Sequence, residues 1–533
     1  MDLNVIATNS LERLAGQDTV SRIWRKDHTV WKPAPTEIAD RLGWLDVMAD
    51  MRSYIKDIQS FAQVVRDSGF RHVVLLGMGG SSLGPEVLTR TFGSANGYPE
   101  LIVLDTTVPD WLLAVERSID LKGTLFIVSS KSGTTVETVS GYRYFWSTLE
   151  RAVGAEKAGQ SFAAITDRGT PLARLASEKG FRRTFVNPSD IGGRYSVLSY
   201  FGLVPAALMG IDLEALLGSA AAMRRRCLPD VSLSDNPGAW LGAAMGTLAL
   251  QGRDKLTLVT SPSLSSFGLW TEQLVAESTG KEGKGIVPVA GEPLLAPESY
   301  GEDRLFVYLR LEGDDNVGLD AAVDAIEAGG HPAVRLGLAD PYDLGGEFFR
   351  WEFAVAVAGA VLGINPFDQP NVQQSKDLTA RVLGEYRARG RFPVIAATSS
   401  IHELLAGVRA GDYLAIMAYL RPTPELERAV SALREGVMKR HRIATTFGYG
   451  PRFLHSTGQL HKGGPDSGMF LQMVAPFQED IEVPEAGYSF GTLAQAQALG
   501  DLQALTSMGR RVASVDLGAD PAACVRGLAS ALG

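Results

Sequence analysis

The segment Ser129-Ser-Lys-Ser-Gly-Thr-Thr-Val-Glu137 carries five hydroxyls, one lysine and one glycine directly after the apolar run 125–128. Hydroxyl and backbone N–H donors at a helix start can surround a phosphate without a metal. An N-cap accounts for one or two such residues, not for five in seven. A second loop, Gly77-Met-Gly-Gly-Ser-Ser-Leu-Gly-Pro85, follows the short apolar run 73–76. Its glycines let backbone N–H groups approach an anion, and the next helix adds the positive end of its dipole. The spacing is not G-x-G-x-x-G and the Walker lysine is missing, which argues against a nucleotide. A third segment, Asp190-Ile-Gly-Gly-Arg-Tyr-Ser196, sets two glycines before Arg194. A fixed guanidinium there can neutralise an oxyanion in a transition state. Two anion-type loops at the ends of neighbouring strands point to a phosphate cradle.

The elements that must hold these loops alternate. Short apolar runs predict strands at 73–76, 101–104, 125–128 and 162–165, with helices at 109–119 and 136–153. After a helix at 239–251, strands are expected at 255–260, 305–311 and 333–338, and helices at 269–277, 317–328 and 348–362. Strands alternating with helices imply α/β architecture with doubly wound parallel sheets, whose ligands bind at the carboxyl ends of strands. Apolar residues at spacings of three and four predict an amphipathic helix over 44–65, closed by Gly69. Ahead of it, Trp24, Trp31 and Pro-Ala-Pro at 33–35 read as an extended arm. From Ile443 the character turns to loops rich in Gly and His, with a strand at 469–474. The expected division is an arm at 1–43, α/β domains at 44–235 and 236–440, and a C-terminal segment at 441–533.

Composition narrows the function further. The 533 residues are 45% hydrophobic and 21% charged, an ordinary globular balance. A net charge of −9 argues against a general nucleic-acid binder, while a local basic patch can still hold a small anion. Cys227 and Cys524 alone build neither a metal site nor a disulfide framework. The first ten residues lack a basic region followed by an apolar core, so no secretory signal is expected. No apolar run reaches the length of a membrane span. A cytoplasmic enzyme without a metal or cofactor is the expectation.

In this order, the three segments resemble the landmarks of the phosphoglucose isomerase family: G-G-S-x-L-G-P, S-K-S-G-T-T-x-E and G-G-R-Y-S. Two further segments extend the likeness. Glu277-Ser-Thr-Gly-Lys-Glu-Gly-Lys284 is similar to the family's E-S-x-G-K, and Asn365-Pro-Phe-Asp-Gln-Pro-Asn-Val-Gln-Gln-Ser-Lys376 to its N-P-F-D-Q-x-G-V-E-x-x-K. Five ordered motifs lie between Gly77 and Lys376, and the likeness covers roughly residues 40–385. The chain departs from the pattern at Ser82, Asn371 and Gln373, where the family carries Asp, Gly and Glu. The likeness is greatest to the isomerase half of bacterial fusions of transaldolase with phosphoglucose isomerase. No transaldolase half is read here, and no lysine is expected to form a Schiff base.

The resemblance implies two sugar-isomerase (SIS) domains and interconversion of glucose 6-phosphate and fructose 6-phosphate through an enediolate. It makes Glu277 the base that moves a proton between adjacent carbons, with Glu137 the competing carboxylate, placed beside the phosphate loop to orient its hydroxyls. It implies that Arg194 stabilises the enediolate, Lys376 assists at the ring oxygen and Gln369 binds a substrate hydroxyl. Gly80, Ser81, Ser130, Lys131, Ser132, Thr134 and Thr135 are the expected phosphate contacts; the Lys131 side chain reads equally as pointing to solvent. The family's ring-opening histidine follows E-S-x-G-K closely, yet residues 285–310 contain none. Leu454-His-Ser-Thr-Gly-Gln459 has the form of that segment, displaced beyond Lys376. His455 is therefore the expected ring-opening residue, reached in cis or from a partner subunit; His461 is the poorer candidate. A homodimer is expected by resemblance. The alternatives are a bifunctional phosphoglucose/phosphomannose isomerase, a non-catalytic sugar-phosphate-binding SIS module, or a structural partner of a transaldolase.

Overall fold

The computed structural model describes residues 3–393 and 400–531; the outermost residues of the 1–43 and 441–533 segments, 1–2 and 532–533, lie outside these. Apolar, largely β-branched runs form strands β1 (His72–Leu76), β2 (Glu100–Leu104), β3 (Thr124–Ser129), β4 (Phe162–Asp167) and β5 (Arg183–Asn187). They pair in parallel in the order β2-β1-β3-β4-β5. A second parallel sheet holds β6 (Lys255–Thr260), β7 (Val287–Val289), β8 (Arg304–Leu311) and β9 (Ala333–Leu338) in the order β7-β6-β8-β9. The α/β class and its parallel sheets are as the alternation predicts. The helices at 136–153 and 317–328 and the strands at 255–260 and 333–338 keep their predicted bounds.

A third parallel sheet comes from the C-terminal residues. It contains β10 (Tyr413–Tyr419), β11 (Ala444–Tyr449), β12 (Gly468–Val474) and β15 (Arg511–Asp516), ordered β11-β10-β12-β15. Two short strands, β13 (Glu482–Val483) and β14 (Tyr488–Ser489), form a separate antiparallel pair. The loop-like reading of the C-terminal region thus gives way to a full α/β layer. Residue 441 falls between its strands, because the buried run Tyr-Leu-Ala-Ile-Met-Ala-Tyr of β10 pairs forward with β12, not back into the second sheet.

All three sheets share one order, second-first-third-fourth, so each reverses direction between its first and third strands. Crevices outside the carboxyl ends of strands at such reversals are where open α/β sheets bind ligands. In the first sheet those ends are Leu76 and Ser129, from which the two anion-type loops depart.

The N-terminal region is helical, with helices Leu3–Gly16 and Thr19–Trp24, rather than an extended arm. Its tryptophans anchor it: Trp24 Nε1 donates to the Cys227 carbonyl at 2.8 Å, and buried Trp31 Nε1 to that of Ala356 at 2.8 Å. The expected 44–65 helix is two, Val47–Arg52 and Ile55–Asp67, broken at Ser53-Tyr54. Gly69 closes the second with φ +78°.

Candidate active site

The hydroxyl loop folds on itself before the helix Val136–Val153. Ser130 Oγ lies 3.0 Å from Thr135 Oγ1 and accepts from the Gly133 N–H at 3.1 Å. Ser132 Oγ accepts from the Thr134 N–H at 3.3 Å and from Thr134 Oγ1 at 3.0 Å. Gly133 makes the turn with φ +68°, and a Cβ there would stand 2.8 Å from the Leu172 nitrogen. Lys131 turns away from the loop. Its ammonium pairs with Asp167 at the end of β4 and donates to the Ser189 carbonyl at 2.9 Å. Ser130, Ser132, Thr134 and Thr135 thus share one loop, whereas the Lys131 ammonium is spent on the neighbouring strand.

The glycine loop meets the arginine segment. A Cβ on Gly80 would lie 2.0 Å from the Gly193 carbonyl oxygen, so the two loops touch through backbone. Ser81 is buried on the same turn. Gly80→Ala is expected to destabilise the chain by about 1–3 kcal/mol, the usual range for overpacking; denaturant unfolding with an unchanged midpoint would show that the loops can part freely.

Arg194 is held by five oxygens. Nε donates to Ser278 Oγ at 2.7 Å, and Nη2 to the carbonyls of Pro366 and Asp368 at 2.7 and 2.9 Å. Nη1 donates to Gln369 Oε1 at 3.2 Å and stands 3.3 Å from Glu277 Oε1. Glu277, 5% exposed, projects from the buried helix Phe267–Thr279. A carboxylate and a guanidinium, both out of water, interact far more strongly than a surface pair. Gln369 touches Arg194, so it reaches a substrate hydroxyl only through its remaining donor.

His455 joins this cleft from the third sheet, within the same chain. It ends the turn Arg452–His455, which follows β11. Its Nε2 lies 2.9 Å from Glu137 Oε1, and its carbonyl accepts from Gln273 Nε2 at 2.8 Å. That same Nε2 of Gln273 donates to Glu277 Oε2 at 2.9 Å, so one amide ties the base to the histidine turn. Glu137 therefore does not orient the phosphate-loop hydroxyls, as expected from its position in sequence; it accepts from His455 and from Gln497 Nε2 at 2.7 Å. Burial opposes its charge, but the His455 imidazole overcomes that and holds its pKa below the ordinary value, with a smaller contribution from Lys376. Lys376 sits on the exposed side of the helix Val372–Arg389. Lys376, His455, Glu137, Thr134 and Thr135 line one cavity of about 350 Å³, large enough for a phosphorylated hexose. His461 is fully buried against Phe470, and burial pushes its pKa well down. It plays a packing part.

Several contributors were not legible in sequence. Buried Lys281 donates to Asp368 Oδ1 at 2.5 Å and to its carbonyl at 2.7 Å, pinning the strand of chain that Arg194 also holds. Burial, with Arg194 nearby, pushes its pKa down to about 8. Arg452 bonds Asp105 through Nε and Nη2 at 2.8 and 2.7 Å, and Ser82 Oγ donates to Asp105 at 2.9 Å. This clamp seats the histidine turn on the first sheet. Gln273 alone had a sequence signal: four residues before Glu277, it shares a helix face with it.

Comparison with known proteins identifies the family. The family model for phosphoglucose isomerase matches residues 39–286. The glucose-6-phosphate isomerase of Staphylococcus saprophyticus is 33% identical over 393 residues, covering 65% of this chain and 88% of that protein. That of Symbiobacterium thermophilum is 33% identical over 393 residues, covering 64% and 87%. The fold is similar to that of a hypothetical protein from Thermus thermophilus, with TM-score 0.61, 26% identity, and coverage of 70% of this chain and 96% of that one. A glucose-6-phosphate isomerase from Chlamydia trachomatis shares the fold at TM-score 0.55 and 22% identity, over 70% and 79% of the two chains. With its ordered loops, buried carboxylate–guanidinium pair and relatives matched along most of their length, this chain belongs to the phosphoglucose isomerase family.

Proposed function

We propose that the chain is a glucose-6-phosphate isomerase, interconverting glucose 6-phosphate and fructose 6-phosphate. The observation that carries the reading is the buried Glu277–Arg194 pair at 3.3 Å, joined through Gln273 to the turn bearing His455. In this reading the hydroxyls and N–H groups of the 130–135 loop, with Gly80 and Ser81, hold the phosphate and fix the sugar's far end. His455, as the imidazolium, gives a proton to the ring oxygen as the ring C–O bond breaks and then takes up the proton of the anomeric hydroxyl, which leaves the open aldehyde. Ionised Glu137 only accepts, so Nε2 of the imidazole donates to it and Nδ1 faces the substrate. Lys376 supports the ring oxygen from across the cavity.

Glu277 then takes the proton from the second carbon. Negative charge develops on the adjacent oxygens, and the Arg194 guanidinium stabilises it in a site where water does not compete. Glu277 returns the proton to the first carbon while the hydroxyl proton of the second carbon's oxygen passes to the first carbon's oxygen, which yields the ketose. Arg194 has five partners before substrate arrives, so little reorganisation is needed when the charge appears.

The finer calls rest on the same reading. The reaction belongs to glycolysis and gluconeogenesis. Its charged substrate stays in the compartment that makes it, which supports a cytoplasmic location. Among the described residues no helix is long and apolar enough to cross a membrane. A homodimer remains the expectation by resemblance, although with His455 delivered in cis the chemistry does not call for one. The three sheets suggest a functional division with the first two SIS units carrying the phosphate loops and the base, and the third carrying the histidine.

The test is a coupled assay with fructose 6-phosphate as substrate. Every acid–base step above uses a protein group, so activity is expected to survive exhaustive chelation. Complete loss with EDTA, restored by a divalent ion, defeats the mechanism.

A further inference from the structure

A second cavity, of about 290 Å³, lies where elements of all three sheets meet, and its wall shares no residue with the sugar-phosphate cavity. Arg434, on the helix Pro424–His441, forms part of that wall and is only 5% exposed. It donates to the carbonyls of Ala290, Gly291 and Thr445 and to Thr445 Oγ1, at 2.7–3.1 Å. Among the described residues it has no carboxylate within the 4.0 Å of an ion pair. Other buried arginines do: Arg304 has Glu292, Arg452 has Asp105, Arg194 has Glu277 and Arg350 has Glu347. Glu292 and Glu272 act on it only from beyond that distance, and the cost of burying the guanidinium falls further when a counter-ion comes into direct contact.

The rest of the polar wall offers donors. Glu272 is buried there, and burial pushes its carboxyl up to about pKa 8, so near neutrality it carries a proton to donate. The Tyr449 hydroxyl is buried without a partner. Arg452 spends Nε and Nη2 on Asp105, which leaves Nη1. With Arg90, Arg434 and Arg452 against Glu272 and Glu427, the wall carries more cationic than acidic side chains and is chemically matched to an anion.

We propose that this cavity is a second binding site, for a compact organic oxyanion bearing a phosphate or carboxylate group, with Arg434 as its counter-charge and Glu272 and Tyr449 as donors. The turn Arg452–His455 forms one side of it, and Ser456 lines it directly. An occupant therefore bears on the seat of His455 without entering the sugar-phosphate cleft.

The test is calorimetric titration of the full chain, first with fructose 6-phosphate to count its equivalents, since a second equivalent would itself report this cavity, and then, at the lowest concentration that fills the cleft, with inorganic phosphate and, separately, malonate. One equivalent of at least one probe is expected to bind, and the preferred probe identifies the ligand as phosphorylated or carboxylic. Arg434→Gln removes the charge and is expected to weaken binding by about tenfold or more. Because Arg434 also ties backbone carbonyls, Ser431→Phe serves as a second variant; it fills the rim and is expected to abolish binding while basal turnover persists. A single equivalent of fructose 6-phosphate together with no binding by either probe, or unchanged binding in folded Ser431→Phe, overturns the proposal. Neither outcome touches the isomerase reading, which the coupled assay tests separately.

Discussion

Glu277→Gln is expected to lower turnover by about 10²- to 10⁴-fold, the usual contribution of a general base. The amide keeps the shape and removes the proton acceptor. Arg194 retains its bonds to Ser278, Pro366, Asp368 and Gln369, so the cleft stays assembled. Affinity for a phosphorylated competitive inhibitor is therefore expected to persist, since the phosphate loops are untouched. The split between turnover and affinity decides the assignment. A fall in turnover of no more than about tenfold, or one matched by an equal loss of inhibitor affinity, would make Glu277 a structural partner of Arg194, not the base. Among the described residues the carboxylate that lines the sugar-phosphate cavity is Glu137, which faces the imidazole and is the next to be tested.

His455→Ala is expected to slow turnover of the cyclic sugar by about 10²-fold or more, through loss of the proton donor to the ring oxygen. An aldose phosphate too short to close a ring bypasses that step. Its isomerisation is expected to fall far less, because Glu277 and Arg194 remain. Equal losses on both substrates would place His455 in the enediolate step or in the fold. A mixing experiment adds a second reading. Glu277 and His455 meet within one chain, tied by Gln273, so Glu277→Gln and His455→Ala proteins refolded together are expected to remain inactive. Restored activity in the mixture would mean that the working site takes its histidine from another copy.

Much of the layer order was legible because buried parallel strands are short, continuous apolar runs, and glycine marks their ends. The elements missed had reasons. Strand β5 reads Arg-Thr-Phe-Val-Asn at a sheet edge, where burial asks for little apolar character, and β7 is three residues around Pro288. Strand β10 has a clear apolar run, but apolarity does not say which sheet a strand joins; pairing with β12 decides that. The N-terminal helices owe their stability to tryptophans docked on other parts of the chain, not to a strong local pattern.

The site divides in the same way. Residue types and spacing pointed to the anion-type loops and to a fixed guanidinium at Arg194, whereas the expected roles of Glu277 and His455 came from the resemblance of their segments to family motifs, because a lone glutamate or loop histidine carries no such signal. What the neighbours do was decided by contacts over long separations. Lys131 looks like a phosphate ligand until β4 brings Asp167 beside it. Glu137 looks like part of a phosphate loop until His455, 318 residues away, closes on it. Local sequence determines which side chains and backbone turns are offered, because caps, glycine turns and strand patterns act over a few residues. Which of them face each other depends on how three sheets pack, a sum of many weak apolar contacts that no single segment encodes.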